Sequence, residues 1–214
     1  PDVAEKILAA GDADMVSMAR PLLADPEFVN KAAAGRAAEI NTCIACNQAC
    51  LDHAFVKETA SCLVNPRACY ETELNYPPAA ARKRVAVVGA GPAGLAAATV
   101  LAERGHAVQL FEAAGGIGGQ FNLAKRIPGK EEFHETLRYF SQRLTSLGIP
   151  VRLNTRVTAG QLVQHRFDEV VLATGVTPRS PGIPGQDHAS VLSYVDVLLH
   201  GRPVGRRVAI VGAG

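Results

Sequence analysis

The sequence lacks any apolar stretch near the roughly 20 residues that a membrane-spanning helix requires. It also lacks an excess of either charge, because 22 Lys and Arg residues nearly balance 20 Asp and Glu residues. These two absences argue against a membrane protein and against a basic surface for nucleic acid. Hydrophobic residues make up 48% of the chain, which is enough for a sizeable core.

Neither end of the sequence has the features of a natural terminus. It starts at Pro1 rather than at methionine, and it stops in "RVAIVGAG", inside a glycine-rich motif. We therefore expect a piece of a longer protein, whose ends carry no information about targeting.

Cysteine is scarce and unevenly placed. Four of the five cysteines, Cys43, Cys46, Cys50 and Cys62, have the spacing C-x2-C-x3-C-x11-C. Three thiolates on one tight loop, with a fourth further along, suit a 4Fe–4S cluster. A structural zinc site more often has two C-x2-C pairs, and the second pair is absent here. Zinc and unliganded buried cysteines are the alternatives.

Two nearby residues are set apart from these predicted ligands. Cys69 is predicted to be a small buried hydrophobic residue. His53 lies three residues after Cys50, but four sulfurs already complete a cluster, so we expect it beside the ligands or at the surface. The bunching of the cysteines favours a metal site in a reducing compartment over a disulfide framework.

The composition divides the chain into three zones. Residues 1–36 predict a helix over "VAEKILAAG", a short strand at "DMVSMA", and a second helix with Asp25 as its N-cap and Pro26 at its first position. Residues 37–83 are irregular and bear the cysteines, and "YPPAAARKR" is predicted to be a linker.

From Arg84 onwards the pattern alternates between strands and helices. Strands are predicted in "RVAVVGAG", "HAVQLFE", "VRLNTRV" and "DEVVLATG". Helices are predicted in "PAGLAAATVLAERG" and "EEFHETLRYFSQRLTSLG". The apolar face of the second helix consists of Phe133, Leu137, Phe140, Leu144 and Leu147. This alternation is typical of an α/β fold.

"VVGAGPAG" places Gly89, Gly91 and Gly94 as G-x-G-x-x-G between a predicted strand and a helix. The first glycine forms the turn, the second lets a pyrophosphate approach the backbone, and the third allows close packing of helix and strand. Glu112 ends the next strand, where a carboxylate accepts hydrogen bonds from ribose hydroxyls and would repel a 2′-phosphate. The motif therefore predicts FAD or NAD rather than NADP; a turn that serves packing alone would not require Glu112.

Further segments extend this predicted FAD site. "GGIGGQF" follows the acidic residue, and "VVLATG" ends a strand where glycine again allows close approach of a ligand. A second glycine motif begins at Gly212 and is cut at Gly214, and two such motifs favour two cofactors that exchange electrons. The additional residues assigned to the FAD site are Pro92, Ala93, Gly119, Gln120, Val157, Ala173, Thr174 and Gly175.

The segments "NTCIACNQACLDH", "SCLVNPRAC", "VAVVGAGPAGLAAA", "GGQFNLAKRIPGKEEFHETLRYF" and "LSYVDVL" together resemble the NADPH-dependent 2,4-dienoyl-CoA reductases of bacteria. These belong to a wider group of flavin and iron–sulfur oxidoreductases that includes trimethylamine dehydrogenase. The cysteine spacing is specific to the wider group, and residues 118–140 favour the dienoyl-CoA reductase branch. The resemblance runs along essentially the whole chain.

This resemblance implies a domain organisation. Residues 1–36 would be the end of an FMN-binding (β/α)8 barrel, with Ala19 and Arg20 at the flavin phosphate. Residues 37–83 would be the 4Fe–4S segment and a linker. Residues 84–205 would be an incomplete Rossmann-like FAD domain. Residues 206–214 would start an NAD(P)H domain, so that Gly212 and Gly214 would contact NADPH.

The resemblance also implies a function. The full-length enzyme would reduce 2,4-dienoyl-CoA, an unsaturated acyl-CoA of fatty acid β-oxidation, in the cytoplasm. Electrons would pass from NADPH through FAD, the cluster and FMN. No catalytic residue is predicted here, because the substrate-binding residues of the barrel would lie outside this chain. The alternatives are an oxidoreductase for an amine or another enoate, and a non-catalytic module that binds a dinucleotide and zinc.

Overall fold

A computed structural model describes residues 1–212 of the chain. The first part, up to residue 83, consists of short helices and irregular segments, and the second part is built around a β-sheet. The elements are α1 (Asp2–Ala10), α2 (Arg20–Ala24), α3 (Phe28–Ala33), a 3₁₀ turn (Ala37–Glu39), α4 (Leu51–Phe55), β1 (Arg84–Val88), α5 (Pro92–Glu103), β2 (Ala107–Phe111), α6 (Phe121–Ala124), α7 (Phe133–Ser146), β3 (Val151–Arg152), α8 (Ala159–Gln164), β4 (Glu169–Leu172) and α9 (Tyr194–Leu198).

The sheet has four parallel strands in the order β3-β2-β1-β4. Val85 of β1 lies opposite Val108 of β2 on one side and Glu169 of β4 on the other. The chain moves outward from β1 through β2 to β3 and then returns to the far side of β1. In sheets of this kind, ligands bind at the carboxyl ends of the strands where the order reverses, which here is between β1 and β4.

The core lies between the sheet and two helices, α5 and α7. Val87, Leu95 and Leu110 are fully buried there, and Leu144 of α7 packs in the same cluster. Phe140 is partly buried against these residues. The apolar face predicted for this helix is therefore confirmed, and it packs α7 against the core of the sheet.

The first predicted helix is confirmed as α1, which ends at Gly11 with a φ of 73°. The strand predicted at "DMVSMA" was wrong, because residues 14–19 are irregular before α2 begins. A strand needs a partner for its backbone groups, and no described strand lies beside this segment.

The predicted start of the next helix was also wrong. Helix α3 begins at Phe28 with Glu27 as its N-cap, and Pro26 lies in the turn before it. Asp25 does accept a hydrogen bond from the Glu27 amide through Oδ1, at 3.0 Å. Its Oδ2 accepts from Lys31 and from the Asn41 amide, so Asp25 makes long-range contacts instead of capping α3.

The third strand is shorter than "VRLNTRV" predicts, because β3 contains only Val151 and Arg152. The chain turns at Asn154, which has a φ of 51°, and the amide of Asn154 donates to the Ala114 carbonyl. None of the helices in the part of the chain that the structure describes is both long enough and apolar enough to cross a membrane.

Replacement of Leu110 by alanine is expected to lower the free energy of unfolding by about 2–5 kcal/mol, because it leaves a cavity at a fully buried position. Denaturant titration followed by circular dichroism would measure this loss. The control is Val163→Ala, on a side chain that is 76% exposed, which should change stability by no more than about 0.5 kcal/mol. Equal effects of the two substitutions would contradict the core described here.

Candidate functional site

The turn between β1 and α5 has no room for side chains at two of its three glycines. A Cβ at Gly89 would overlap the carbonyl of Ala173, and a Cβ at Gly94 would overlap the carbonyl of Gly89. Gly89 also has a φ of 105°, which side-chain-bearing residues rarely adopt. The two glycines therefore let β1, α5 and the end of β4 come together.

Gly91 differs from its neighbours because a Cβ there would meet no atom within 4 Å. Its backbone is extended, with φ −74° and ψ 178°, and it is the N-cap of the 12-residue helix α5. Pro92 and Ala93 form the first turn of that helix. The free amides of a helix N-terminus attract a phosphate, and the open space at Gly91 lets one approach.

The carboxylate of Glu112 is held at the end of β2 by backbone amides. Oε2 accepts from the Ala90 amide at 2.7 Å, and Oε1 accepts from the Ala114 amide at 2.8 Å. A carboxylate has about four lone-pair sites, so both oxygens retain capacity for a ribose hydroxyl. Glu112 thus stabilises the glycine turn through these two hydrogen bonds. Its remaining lone pairs can accept hydrogen bonds from the ribose of a dinucleotide.

Two further segments reach the glycine turn. The amide of Gly118 donates to the Ala90 carbonyl at 2.7 Å, and a Cβ at Gly119 would lie 3.2 Å from the Gly91 Cα. The amide of Ala173 donates to the Val88 carbonyl at 2.8 Å. The "GGIGGQF" loop and the end of β4 therefore both contact the turn.

The remaining residues of the predicted FAD site lie at its margins. The Gln120 amide group donates to the Val176 carbonyl at 2.5 Å and joins the two segments. Thr174 lies close to Gly89, and Gly175 has a φ of 72°. Val157 follows Thr155, whose amide donates to the Glu112 carbonyl at 2.8 Å.

The four predicted cluster ligands, Cys43, Cys46, Cys50 and Cys62, line one small pocket. All four thiols are free and half-buried. The loop between the first three is tightly wound, with positive φ values at residues 45 and 47. Within this loop the residue 45 amide donates to the Cys43 sulfur at 3.4 Å.

Cys62 reaches the pocket because the chain folds back beside Cys50, where the Ser61 amide donates to the Ala49 carbonyl at 2.6 Å. Burial raises the pKa of the Cys62 thiol, and the neighbouring Cys43 and Cys46 add to this rise by charge repulsion. The amides of residues 64 and 65 donate to the sulfur and partly offset it. Binding of a cationic metal centre by these thiols would therefore release protons.

The geometry of the cysteine pocket bears on which metal centre it fits. In residues 1–212, no group of three or more His, Cys, Asp or Glu side chains is placed to hold a metal ion. The four cysteines line the pocket together with Arg20, Asn47 and apolar residues, and the lining residues that the structure describes include no carboxylate. An all-thiol donor set is chemically compatible with a 4Fe–4S cluster and with a structural zinc ion.

Arg20, predicted to bind an FMN phosphate, also lines the cysteine pocket. Its guanidinium donates to the Asn47 side-chain oxygen at 3.0 Å, and Ala19 is the N-cap of α2 immediately before it. The sequence did not indicate this contact between the predicted phosphate-binding residue and the cysteine loop.

The structure also locates His53 and Cys69, the two residues that were excluded from the predicted ligand set. His53 Nδ1 lies 3.0 Å from the Thr59 carbonyl oxygen, and His53 is not among the residues that line the pocket. The prediction that Cys69 is buried was wrong, because this residue is exposed. Cys69 sits in a turn with a φ of 65°, where its amide donates to the Glu71 carboxylate.

The second glycine motif is described only in part. Gly212 has a φ of 103°, close to the 105° of Gly89. No strand precedes it between residues 203 and 212, and Ile210 and Val211 are 86% and 80% exposed. Gly214, the second glycine of that motif, lies outside the described residues.

Two substitutions at the glycine turn separate ligand binding from folding. Gly91→Val should keep the fold, because the site is open and its backbone is extended, but should lose most of the bound FAD by filling the approach to the pyrophosphate. Unlike Gly91→Val, Gly94→Ala should lower the free energy of unfolding, by about 1–3 kcal/mol or more, because its Cβ would overlap the backbone of Gly89. Flavin released on denaturation and thermal melts would measure both effects, and full FAD retention by Gly91→Val would show that the turn serves packing only.

The cysteine pocket predicts a metal content. The protein purified without oxygen should contain about four irons and acid-labile sulfide. Cys50→Ser should lose them, and the matched control Cys69→Ser, at an exposed cysteine away from the pocket, should keep them. Metal and sulfide analysis gives the readout, and stoichiometric zinc without sulfide would contradict the cluster.

Comparison with known proteins places the chain among oxidoreductases. It is 41% identical over its whole length to the metal reductase of Desulforamulus reducens, covering 33% of that protein. The structure of a 2-naphthoyl-CoA reductase in complex with 2-naphthoyl-CoA matches 96% of the chain with a TM-score of 0.92 and 40% identity, and 31% of that protein is covered. The 6-hydroxypseudooxynicotine amine oxidase of Pseudomonas geniculata N1 matches 95% of the chain with a TM-score of 0.84 and 31% identity, and 32% of it is covered.

The chain spans about a third of the length of the curated relatives it matches. Its homologues are oxidoreductases with differently named substrates. Residues 83–214 match the family described as pyridine nucleotide-disulphide oxidoreductase, which is more than half of the chain. Together with the parallel sheet and the glycine turn, this match shows that the chain belongs to the pyridine nucleotide-disulphide oxidoreductase family.

Proposed function

We propose that this chain is the electron-transfer part of a longer NAD(P)H-dependent flavoenzyme. It would hold FAD at the β1–α5 turn and a 4Fe–4S cluster in the cysteine pocket. The observation that carries this proposal is the presence, in one chain, of a glycine turn open at Gly91 and a pocket walled by four free thiols. When bound, FAD would exchange hydride with a nicotinamide and single electrons with the cluster.

The residues around the glycine turn have complementary roles toward FAD. The α5 N-terminus and the open backbone at Gly91 would receive the pyrophosphate, and Glu112 would accept from the ribose hydroxyls. Gln120, bonded to the Val176 carbonyl, would close the "GGIGGQF" loop over the carboxyl end of the sheet. These contacts would bind and orient the cofactor.

The residues around the cysteine pocket would anchor the cluster and the flavin beyond it. The four thiolates would ligate iron, and the amide of residue 45 would donate to the Cys43 sulfur. Arg20 would bind the FMN phosphate with Ala19 beside it. Because Arg20 also contacts Asn47 in the cysteine loop, one cation would border both cofactors.

The diversity of the relatives supports an electron-transfer role for this part. A metal reductase, a naphthoyl-CoA reductase and an amine oxidase share it at 31–41% identity over most of this chain. Proteins that act on such different compounds have little reason to share a substrate pocket. We infer that substrate choice lies in the rest of the enzyme.

For the substrate, we propose a conjugated acyl-CoA, with 2,4-dienoyl-CoA as the specific candidate. Two observations support it: the resemblance of residues 118–140 to dienoyl-CoA reductases, and the 40% identity to a reductase of 2-naphthoyl-CoA, another conjugated acyl thioester. We place this reaction, with NADPH as donor, in the cytoplasm, where thiols stay reduced. The second candidate is oxidation of an amine, which the match to an amine oxidase favours.

The experiment removes the cluster in the full-length enzyme with Cys46→Ala. NADPH should still bleach the FAD absorbance at the wild-type rate, because the glycine turn is untouched. FMN should stay oxidised, and reduction of dienoyl-CoA should fall at least about a hundredfold. Enzyme reduced first with dithionite should still reduce one equivalent of substrate. Stopped-flow spectroscopy would follow both flavins.

The matched control is Cys69→Ser, which removes an exposed thiol away from the pocket. Flavin contents must be measured first, since loss of a metal centre can unfold the segment that binds it. If Cys46→Ala retains both flavins and NADPH still reduces FMN at the wild-type rate, the cluster is structural and the proposed route is wrong. Turnover of an amine but not of dienoyl-CoA would favour the second candidate.

A further inference from the structure

The segment that leads into the cysteine pocket is held from two opposite sides. We call residues 38–42, which end one residue before Cys43, the strap. On one side, the Asn41 amide donates to Asp25 Oδ2 at 2.8 Å. Asp25 is only 3% exposed, and the same oxygen accepts from Lys31 Nζ at 2.6 Å. This side ties the strap to the preceding helices.

On the other side, the strap is held by Arg138 of α7, about 100 residues away in sequence. The guanidinium donates to the carbonyl of Ala38 and, at 2.7 Å, to the carbonyl of Ile40. It also donates to the Thr42 hydroxyl at 3.2 Å. Three points of a five-residue segment are thus held by one side chain.

The guanidinium itself is fixed in direction. Its Nε donates to Glu135 Oε2 at 2.6 Å, one turn earlier on the same helix, and the Thr42 hydroxyl also lies 3.4 Å from that oxygen. The opposite face of α7 carries Phe140 and Leu144 in the core of the sheet. A continuous set of contacts therefore runs from the sheet core through Arg138 to the residue before Cys43.

We propose that Arg138 is a positioning residue, which fixes the Cys43 side of the cysteine pocket relative to the dinucleotide turn. The inference rests on the proposed function, in which electrons cross between these two sites. Its role is geometric rather than electrostatic, because Glu135 already neutralises the guanidinium. A planar fork that reaches two carbonyls and a hydroxyl cannot be replaced by a single ammonium.

Three variants of the full-length enzyme test this role. Arg138→Gln removes the fork, and Arg138→Lys keeps the charge without the fork. The matched control is Arg143→Gln, on the same helix, which breaks an ion pair with Glu103 of α5 and touches no strap residue. Iron and FAD contents are measured for each variant before any kinetics.

The first readout is hydrogen–deuterium exchange of peptides that cover residues 37–46, which requires no turnover. We expect exchange to quicken about tenfold or more in both Arg138 variants, because hydrogen bonds from a charged donor are lost. Arg143→Gln should leave these peptides unchanged. Unchanged exchange in Arg138→Gln would overturn the proposal regardless of any cofactor.

The second readout separates positioning from a purely structural role. In stopped flow with NADPH, both Arg138 variants should reduce FAD at the wild-type rate, while the following reduction of the cluster slows about tenfold or more. Full rescue of that step by Arg138→Lys would mean that charge matters, and would overturn the geometric role. Loss of FAD from both variants would overturn it too, since Arg138 would then support the fold. If the wild-type enzyme contained no iron, the proposed function would be refuted. The contact between Arg138 and the strap would then be tested by the exchange measurement alone.

Discussion

A buried carboxylate is stable only when its charge is paired and its lone pairs accept hydrogen bonds. In this protein the buried carboxylate is Asp25, and three donors from different parts of the chain satisfy it. The amide of Glu27, the ammonium of Lys31 and the amide of Asn41 all donate to it. Asn41 in turn donates through its side chain to the Val64 carbonyl at 2.7 Å, two residues after Cys62. Asp25 thus fixes the segment before Cys43 directly. Through Asn41 it also fixes the segment after Cys62.

Local patterns in the sequence predicted the parts of the fold whose causes are local. The G-x-G-x-x-G spacing predicted the turn, since Gly94 must pack on the Gly89 carbonyl five residues earlier, and the apolar period of α7 predicted its buried face. Cys69 was predicted to be buried on residue type alone, but its position depends on a turn with positive φ. Arg138 could not be predicted, because its partners lie 96–100 residues away and leave no periodic signal.

The two candidate sites differ in how the chain prepares them. The glycine turn is shaped by backbone contacts that need no ligand, because Gly94 packs on the Gly89 carbonyl and Gly118 bonds Ala90. The cysteine pocket is instead shaped by side chains drawn from distant segments, including Arg20 through Asn47. Most contacts of the glycine turn lie between β1 and the loop after β2, with one further contact to Ala173 at the end of β4, whereas the cysteine pocket is bonded both to the helices before it and to α7 after it.

The hydrogen bonds that Glu112 accepts couple the nucleotide preference of this site to the conformation of the glycine turn. The two oxygens of Glu112 accept from the amides of Ala90 and Ala114, so the carboxylate that disfavours a 2′-phosphate also joins the glycine turn to the loop after β2. A single substitution toward a neutral or basic side chain would leave one or both amides without an acceptor. A change of nucleotide preference at this site would therefore also remove hydrogen bonds that join the glycine turn to the loop after β2.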